Sequence, residues 1–77
     1  MLRIIDVEYL KDYSLLLTFN NRERKVVDLE PHLKGEVFGP LLDKSLFTQF
    51  GLSTMTLEWV NGADFAPEFL YEIGKPA

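Results

Sequence analysis

The sequence contains no cysteine and a single histidine among its 77 residues. Without cysteine the chain forms no disulfide bond, uses no thiolate nucleophile and holds no metal ion through sulfur. Basic residues are also few, since eight Lys and Arg stand against 12 Asp and Glu and leave a net charge of −4. This sign disfavours unassisted binding of nucleic acid, because such binding depends on the neutralisation of phosphates.

Long apolar runs are missing as well. The longest uninterrupted run is Leu15-Leu16-Leu17, whereas a membrane-spanning helix needs about 20 predominantly apolar residues. A charged residue, Asp6, comes early at the N-terminus, where a secretory signal peptide needs about 7 to 15 apolar residues. We therefore predict a cytoplasmic protein without a membrane contact, and residues 1–77 are expected to form one small domain.

Alternation of apolar and polar residues predicts three antiparallel strands in the first 30 residues. The polar stretch Lys11-Asp12-Tyr13 predicts the first turn. Asn20-Asn21 predicts the second, because Asn adopts positive φ more readily than most residues. The predicted inward positions are Ile5, Val7, Tyr9, Leu15, Leu17, Phe19, Val27 and Leu29.

The residue pattern in the middle of the chain predicts two helical segments. Asp28 and Pro31 mark the start of a short helical turn that ends at Lys34-Gly35. A second helix is expected after Gly39-Pro40, capped by Asp43 and ended by Gly51. Its apolar stripe consists of Leu41, Leu42, Leu46, Phe47 and Phe50.

The last third predicts a strand or hairpin, a turn and a final helix. Apolar residues at Leu52, Met55, Leu57 and Trp59 indicate the strand or hairpin, with Thr56 and Glu58 facing water. Asn61-Gly62 predicts the turn, and Pro67 is the first residue of a helix that ends at Gly74.

Sequential strands followed by helices predict a two-layer α+β domain. Its antiparallel sheet has three to five strands, and two or three short helices pack on one face. Trp59 is expected in the core against the first hairpin. The predicted core comprises Ile5, Val7, Leu15, Leu17, Phe19, Val27, Leu29, Phe47, Phe50, Leu57, Trp59 and Leu70.

The order of these residues resembles a bacterial family known as domain of unknown function 2442. The most specific part is Trp59-x-Asn61-Gly62-Ala63-Asp64 followed by Leu70-Tyr71. The resemblance extends upstream through Asp12-Tyr13-x-Leu15, Phe19, Val27-Asp28-Leu29, Phe38-x-Pro40-Leu41 and Phe47. It implies an α+β fold, with a helix-turn-helix domain following in some longer members. It also implies gene arrangements similar to toxin-antitoxin pairs. No activity or catalytic residue is established for the family.

The segment from Trp59 to Asp64 is the first candidate site, because an Asn-Gly turn between a Trp and an acidic residue presents side chains to a ligand. Each residue also has a structural explanation, which we favour. Trp59 anchors the core, Asn61-Gly62 supplies positive φ, and Asp64 accepts backbone N–H groups at the entry to the last helix.

Three other groups are weaker candidates. Asp28, Glu30 and His32 alternate, but a helical turn at Pro31 separates them, so we predict no metal site. The basic stretch 22–25 is interrupted by Glu23 and is expected to be a solvated hairpin. Asp64 and Glu68 are four residues apart without a nearby nucleophile, so we predict neither a catalytic site nor a cofactor.

Two hypotheses for function remain. The first is a non-catalytic interaction module with a protein partner, such as the antitoxin-like member of a two-gene pair. The second is a regulatory domain that contacts nucleic acid only as an oligomer or within a complex. We also predict a homodimer or partner contact through a sheet face that carries Ile4 and Leu16, because the helices cover only the other face.

Overall fold

The structure is a computed structural model that describes residues 1–54 and 56–77. It combines an antiparallel sheet, a separate β-hairpin and short helices. The strands of these described residues are β1 (Ile4–Lys11), β2 (Ser14–Phe19), β3 (Arg24–Asp28), β4 (Phe50–Leu52), β5 (Leu57–Trp59) and β6 (Lys75–Pro76). The α-helices are α1 (Gly35–Phe38), α2 (Lys44–Phe47) and α3 (Pro67–Ile73), and Glu30–His32 and Gly39–Leu42 form 3₁₀ turns. The predicted α+β class is confirmed.

The main sheet has the strand order β1-β2-β3-β6, and β4 and β5 form the separate hairpin. Strand β2 alternates as predicted: Leu15, Leu17 and Phe19 are fully buried while the residues between them are half-exposed. Val27 of β3 and the following Leu29 are also fully buried. These side chains form the inner face of the sheet, and the helices and the second hairpin cover it.

The first strand differs from the prediction at its start. Ile4 is 2% exposed and belongs to the core, whereas Ile5 is 49% exposed. The reason is an irregularity in the pairing with β2: Ile4 lies opposite Phe19 and Asp6 lies opposite Thr18, which leaves one extra residue on β1. Such a bulge moves the alternation by one position. The placement of Ile5 in the core and of Ile4 on the opposite face was therefore wrong.

The turn between β2 and β3 forms where predicted, but a different residue adopts the positive φ. Positive φ falls at Arg22 (72°), and both asparagines act through their side chains instead. Asn20 Oδ1 accepts the backbone N–H of Arg3, and Asn21 Oδ1 accepts that of Glu23. The asparagines thus stabilise the turn by hydrogen bonds rather than by unusual backbone angles.

The single helix predicted after Gly39-Pro40 is wrong. A 3₁₀ turn ends at Leu42, and α2 then spans four residues, with Asp43 Oδ1 accepting the backbone N–H of Ser45 as its N-cap. Phe50 and Gly51 belong to β4 instead of the helix. Apolar residues at helical spacing can also be buried by successive tight turns, each of which directs one side chain to the core.

The predicted hairpin forms from β4 and β5, with Phe50 opposite Trp59 and Leu52 opposite Leu57. Thr56, expected to face water, is buried, and its Oγ1 donates a 2.7 Å hydrogen bond to the Phe65 carbonyl oxygen. Burial of a hydroxyl is tolerated because that bond is made. The predicted inward position of Met55 lies outside the described residues.

The last helix begins at Pro67 and ends before Gly74, as predicted. Strand β6 was not predicted. It pairs with β3, with Lys75 opposite Val26, and thereby ties the end of the chain to the main sheet. Within the described residues, no helix is both long and apolar enough to cross a bilayer. The buried cluster comprises Ile4, Leu15, Leu17, Phe19, Val27, Leu29, Leu33, Leu41, Phe47, Leu57, Trp59, Ala63 and Leu70.

Candidate interaction site

Trp59 lies in the core, as predicted, and contributes little surface. Its side chain is 3% exposed, and Nε1 donates a 2.7 Å hydrogen bond to the carbonyl oxygen of Phe47. The indole centroid lies 5.7 Å from that of the Phe47 ring and 6.0 Å from that of Phe65. Trp59 therefore fixes the position of the turn that follows it, while any binding surface is formed by its neighbours.

The turn after Trp59 is built from Asn61 and Gly62. Gly62 has a φ of 87°, a conformation that favours glycine. Asn61 Oδ1 accepts the backbone N–H of Ala63, and Asn61 Nδ2 donates a 2.9 Å hydrogen bond to the carbonyl oxygen of Val37. The turn is therefore attached to the end of α1, which lies 24 residues earlier in the chain.

Asp64 does not cap the last helix, contrary to the expected role. The N-cap residue is Ala66, and it makes no side-chain capping bond. Asp64 is exposed and forms a backbone bridge with Glu58, but no group among the described residues donates a hydrogen bond to its carboxylate. A carboxylate held on a fixed turn without a donor is available to a partner.

Four rings from three segments meet beside this turn, and we call them the aromatic cluster: His32, Phe38, Phe65 and Phe69. Phe38 and Phe65 stack at 4.5 Å between centroids, and Phe65 and Phe69 stack at 5.6 Å. His32 lies edge-on to Phe69 at 5.1 Å. All four are only partly buried, and the neighbouring Val37 is 50% exposed. The cluster thus presents aromatic surface to solvent at the edge of the core.

Carboxylates surround this cluster along the chain. Within two residues of its rings stand four exposed acidic residues, which we call the acidic rim: Glu30, Glu36, Asp64 and Glu68. The segments 28–38 and 61–72 together hold six acidic residues and one lysine, an excess larger than the net charge of −4 of the whole chain. The negative charge of the protein is therefore concentrated in the two segments that carry the aromatic cluster.

Part of this site was predicted from the sequence. Asn61, Gly62 and Asp64 were predicted as candidate residues, whereas the rings of the aromatic cluster were not. The available signal was the spacing of Phe65 and Phe69, four residues apart with acidic neighbours, a spacing that places them on one side of a helical turn. His32 and Phe38 could be added only from the fold.

Ile4 and Leu16 are not brought together. Ile4 is buried in the core, whereas Leu16 is half-exposed on the other face of the main sheet. The expectation of one apolar patch containing both side chains is therefore wrong. Leu16 remains a candidate contact residue.

The weaker candidates are dispersed. His32 contacts Phe69, and within the described part of the chain no group of three or more His, Asp or Glu residues is arranged to hold a metal ion. The basic stretch is divided between faces: Lys25 lies on the inner side with Nζ 3.6 Å from the Tyr71 ring centroid, and Arg24 pairs with Thr18 on the outer side. Glu23 accepts a hydrogen bond from the Tyr71 hydroxyl.

An open depression of about 360 Å³ lies against the second hairpin. Phe50, Leu52, Trp59 and Val60 supply its apolar lining, and Glu58 supplies its charge. Leu52 and Val60 are both exposed. The depression borders Trp59 and Val60, the residues that precede the Asn61-Gly62 turn.

Shifted pKa values occur away from the aromatic cluster. Hydrogen bonds from Ser45 lower the pKa of Asp43 below its usual 3.8. A hydrogen bond to Asp12 raises the pKa of Lys44, and a hydrogen bond to Glu23 raises that of Tyr71. Each shift follows from a local contact that stabilises a turn or a helix end.

Comparison with known families gives one match: the model of the family described as "Protein of unknown function (DUF2442)" matches residues 4–76. No curated protein and no solved structure matches the chain.

Proposed function

The chain belongs to the DUF2442 family, whose description assigns no activity, and we propose that it is a non-catalytic interaction module that binds a basic protein partner through the aromatic cluster and the acidic rim. In this role it is the antitoxin-like member of a two-gene pair. The observation that carries the proposal is a set of partly buried, stacked rings in two segments rich in exposed carboxylates.

Stacked rings and carboxylates together suit the side chains of arginine and lysine. A cation over a ring face gains about 0.5 to 1 kcal/mol at an exposed site. A guanidinium group can also form bidentate hydrogen bonds with a carboxylate. A partner segment that alternates basic and apolar residues would therefore match both the rim and the exposed side chain of Val37.

The charge distribution supports a partner of basic character over a small acidic ligand. An acidic surface steers an oppositely charged protein toward it and suppresses binding of acidic proteins. Since the excess of carboxylates is confined to the segments around the aromatic cluster, this steering would direct a partner to that side.

The test uses co-expression with the product of the neighbouring gene, followed by size-exclusion chromatography. We expect a stable complex that dissociates more readily at high salt, because exposed charge pairs are screened. Asp64→Lys is expected to weaken the complex by about tenfold or more, which corresponds to roughly 1.4 kcal/mol.

Glu8→Lys provides the matched control, since it makes the same charge change on the opposite side of the main sheet. It should leave partner affinity unchanged when affinity is measured at high dilution, where self-association through that side of the main sheet does not contribute. Absence of a complex, or equal loss of affinity in the two variants, would contradict the proposal. A shift of DNA by the isolated chain that weakens steeply with salt would instead favour the nucleic-acid-binding regulatory domain.

A further inference from the structure

The main sheet has a second face that none of the helices in the described residues covers. Leu15, Leu17 and Phe19 point into the core, so the alternate positions of β2 point outward. Residues paired across an antiparallel sheet share a face. The register therefore assigns ten residues to this outer face: Asp6, Glu8, Lys11, Ser14, Leu16, Thr18, Arg24, Val26, Asp28 and Lys75.

The charges on the outer face are arranged regularly. Residues that pair across neighbouring strands form a row, and each row has opposite charges at its two ends. Read from β1 outward, the rows are Asp6-Thr18-Arg24, Glu8-Leu16-Val26-Lys75 and Lys11-Ser14-Asp28. The third row has the reverse polarity of the other two, so the pattern is not simply an acidic strand beside a basic one.

The two ends of a row are too far apart to neutralise each other within one chain. Adjacent strands lie about 4.8 Å apart, so the backbones of Asp6 and Arg24 are separated by roughly 10 Å. Among the described residues the one ion pair joins Lys44 and Asp12, neither of which belongs to the outer face. The charges of the rows are therefore available to another molecule.

We propose that the outer face docks onto the outer face of a second copy of this chain, about a two-fold axis that runs along β2. Rotation by 180° about that axis keeps each row at its height along the strands and exchanges its ends. Asp6 of each copy then lies over Arg24 of the other, and Lys11 lies over Asp28. Lys75, one strand further out, reaches Glu8 through its long side chain.

The middle row favours this axis over the alternative. A two-fold axis perpendicular to the strands would also pair opposite charges in the outer rows, with Asp6 over Lys11 and Arg24 over Asp28. In the middle row, however, it would place Glu8 over Glu8 and Lys75 over Lys75, which is repulsive. A contact about a two-fold axis must be self-complementary, because the same surface serves both partners. The axis along β2 places opposite charges over each other in the first and third rows and creates no contact between like charges in the middle row.

The centre of the outer face is apolar. Leu16 and Val26 pair across β2 and β3, are half-exposed, and do not pack against the buried cluster. Because the axis runs along β2, Leu16 would pack against Leu16 of the second copy, and Val26 would lie under the aliphatic part of Glu8 of the second copy. A four-stranded face with short strands is small, so the dimer belongs at the low end of interface sizes and its association is expected to be reversible.

This inference does not depend on the proposed function, since the aromatic cluster and the outer face lie on different sides of the main sheet. The test is sedimentation equilibrium of the full chain over a range of concentrations. Wild type is expected to dimerise reversibly. Asp6→Arg and Arg24→Asp are each expected to weaken self-association by about tenfold or more, because each creates like charges across the axis.

The double variant Asp6→Arg/Arg24→Asp restores opposite charges and is expected to return self-association to within about threefold of wild type. Glu72→Arg and Lys34→Asp make the same charge changes at exposed sites elsewhere and should dimerise like wild type. Urea unfolding of each variant at high dilution checks that the monomer stays folded.

Three results would overturn the proposal: a wild-type chain that stays monomeric at high concentration, equal weakening by the control variants, or a double variant as weak as the single ones. The first would leave the outer face exposed or covered by another partner. The last would show that the dimer uses other contacts.

Discussion

Two regions of the molecule are held together by different kinds of hydrogen bond. In residues 4–28 the backbone ladders of β1, β2 and β3 supply nearly continuous pairing. In residues 29–66 the elements are only three or four residues long. There, side chains bond to distant backbone carbonyl oxygens: Trp59 to Phe47, Asn61 to Val37 and Thr56 to Phe65.

This difference determines how each region responds to substitution. A ladder bond forms between backbone groups and persists when an outward side chain changes. A bond from a side chain to a carbonyl depends on one residue, and its loss leaves a polar group unpaired. The second region carries most of the acidic rim and most of the aromatic cluster. Single substitutions in this region should therefore alter both stability and the binding surface.

The largest effect is expected for Trp59→Ala. The substitution removes a ring that is 3% exposed and leaves the carbonyl oxygen of Phe47 without its donor. We expect a loss of about 3 to 5 kcal/mol in the free energy of unfolding, a large part of the stability of so small a domain. Urea unfolding followed by circular dichroism measures it.

Trp59→Phe separates the two contributions, because it keeps an aromatic ring but removes the indole N–H group. We expect its free energy of unfolding to lie between those of wild type and Trp59→Ala. An unchanged unfolding midpoint in Trp59→Ala would show that the second region does not depend on this contact, and the comparison between the two regions would fail.

The same difference explains what could be predicted from the sequence. Strand β2 was found because alternation is a local property of a half-buried strand. Ile4 and Ile5 were exchanged because a bulge depends on pairing with another strand, which a local pattern does not contain. The predicted helix after Gly39-Pro40 failed because helical spacing and a series of tight turns bury the same residues.

For the candidate site, local chemistry identified the turn and not the surface around it. Asn61 and Gly62 are a turn pair by residue type. The contact between Phe38 and Phe65 joins positions 27 residues apart, and nothing in either neighbourhood indicates the other ring. Strand β6 was missed because two residues, one of them Pro76, give no alternation.

Gly74, which packs against Lys25 of β3, provides a test at the edge of the region that the backbone ladders hold together. A Cβ atom at this position would lie 2.9 Å from Lys25 Cβ and 3.0 Å from the carbonyl oxygen of Leu70. Gly74→Ala is therefore expected to force α3 and β3 apart and to cost about 1 to 3 kcal/mol, measured by urea unfolding.

Gly51→Ala is the matched control, because a Cβ atom there would meet nothing within 4 Å. Its stability should be unchanged or slightly higher, since alanine restricts the unfolded chain. Equal stability of the two variants would show that α3 is not packed closely on β3, and that the end of the chain is held by the two residue pairs between β3 and β6 alone.

The smallest expected effect concerns the N-cap of α2 and its dependence on pH. Hydrogen bonds from the Ser45 hydroxyl and backbone N–H lower the pKa of Asp43 below its usual 3.8. A lowered folded-state pKa means that the ionised form stabilises the fold. This stabilisation is present above the pKa of the unfolded chain, and it is lost as pH falls through the lower folded-state value.

Asp43→Ala should therefore lower the thermal unfolding midpoint slightly between pH 5 and 8, and the difference from wild type should shrink below about pH 4. Asp64→Ala is the control, because no described group donates a hydrogen bond to the Asp64 carboxylate. It makes the same change of side chain without removing a hydrogen bond, so an effect of the cap appears as a difference between the two variants. If the Asp43→Ala difference stayed constant through acid pH, the cap would act through packing. The second region would then depend less on hydrogen bonds from individual side chains than we expect from its comparison with residues 4–28.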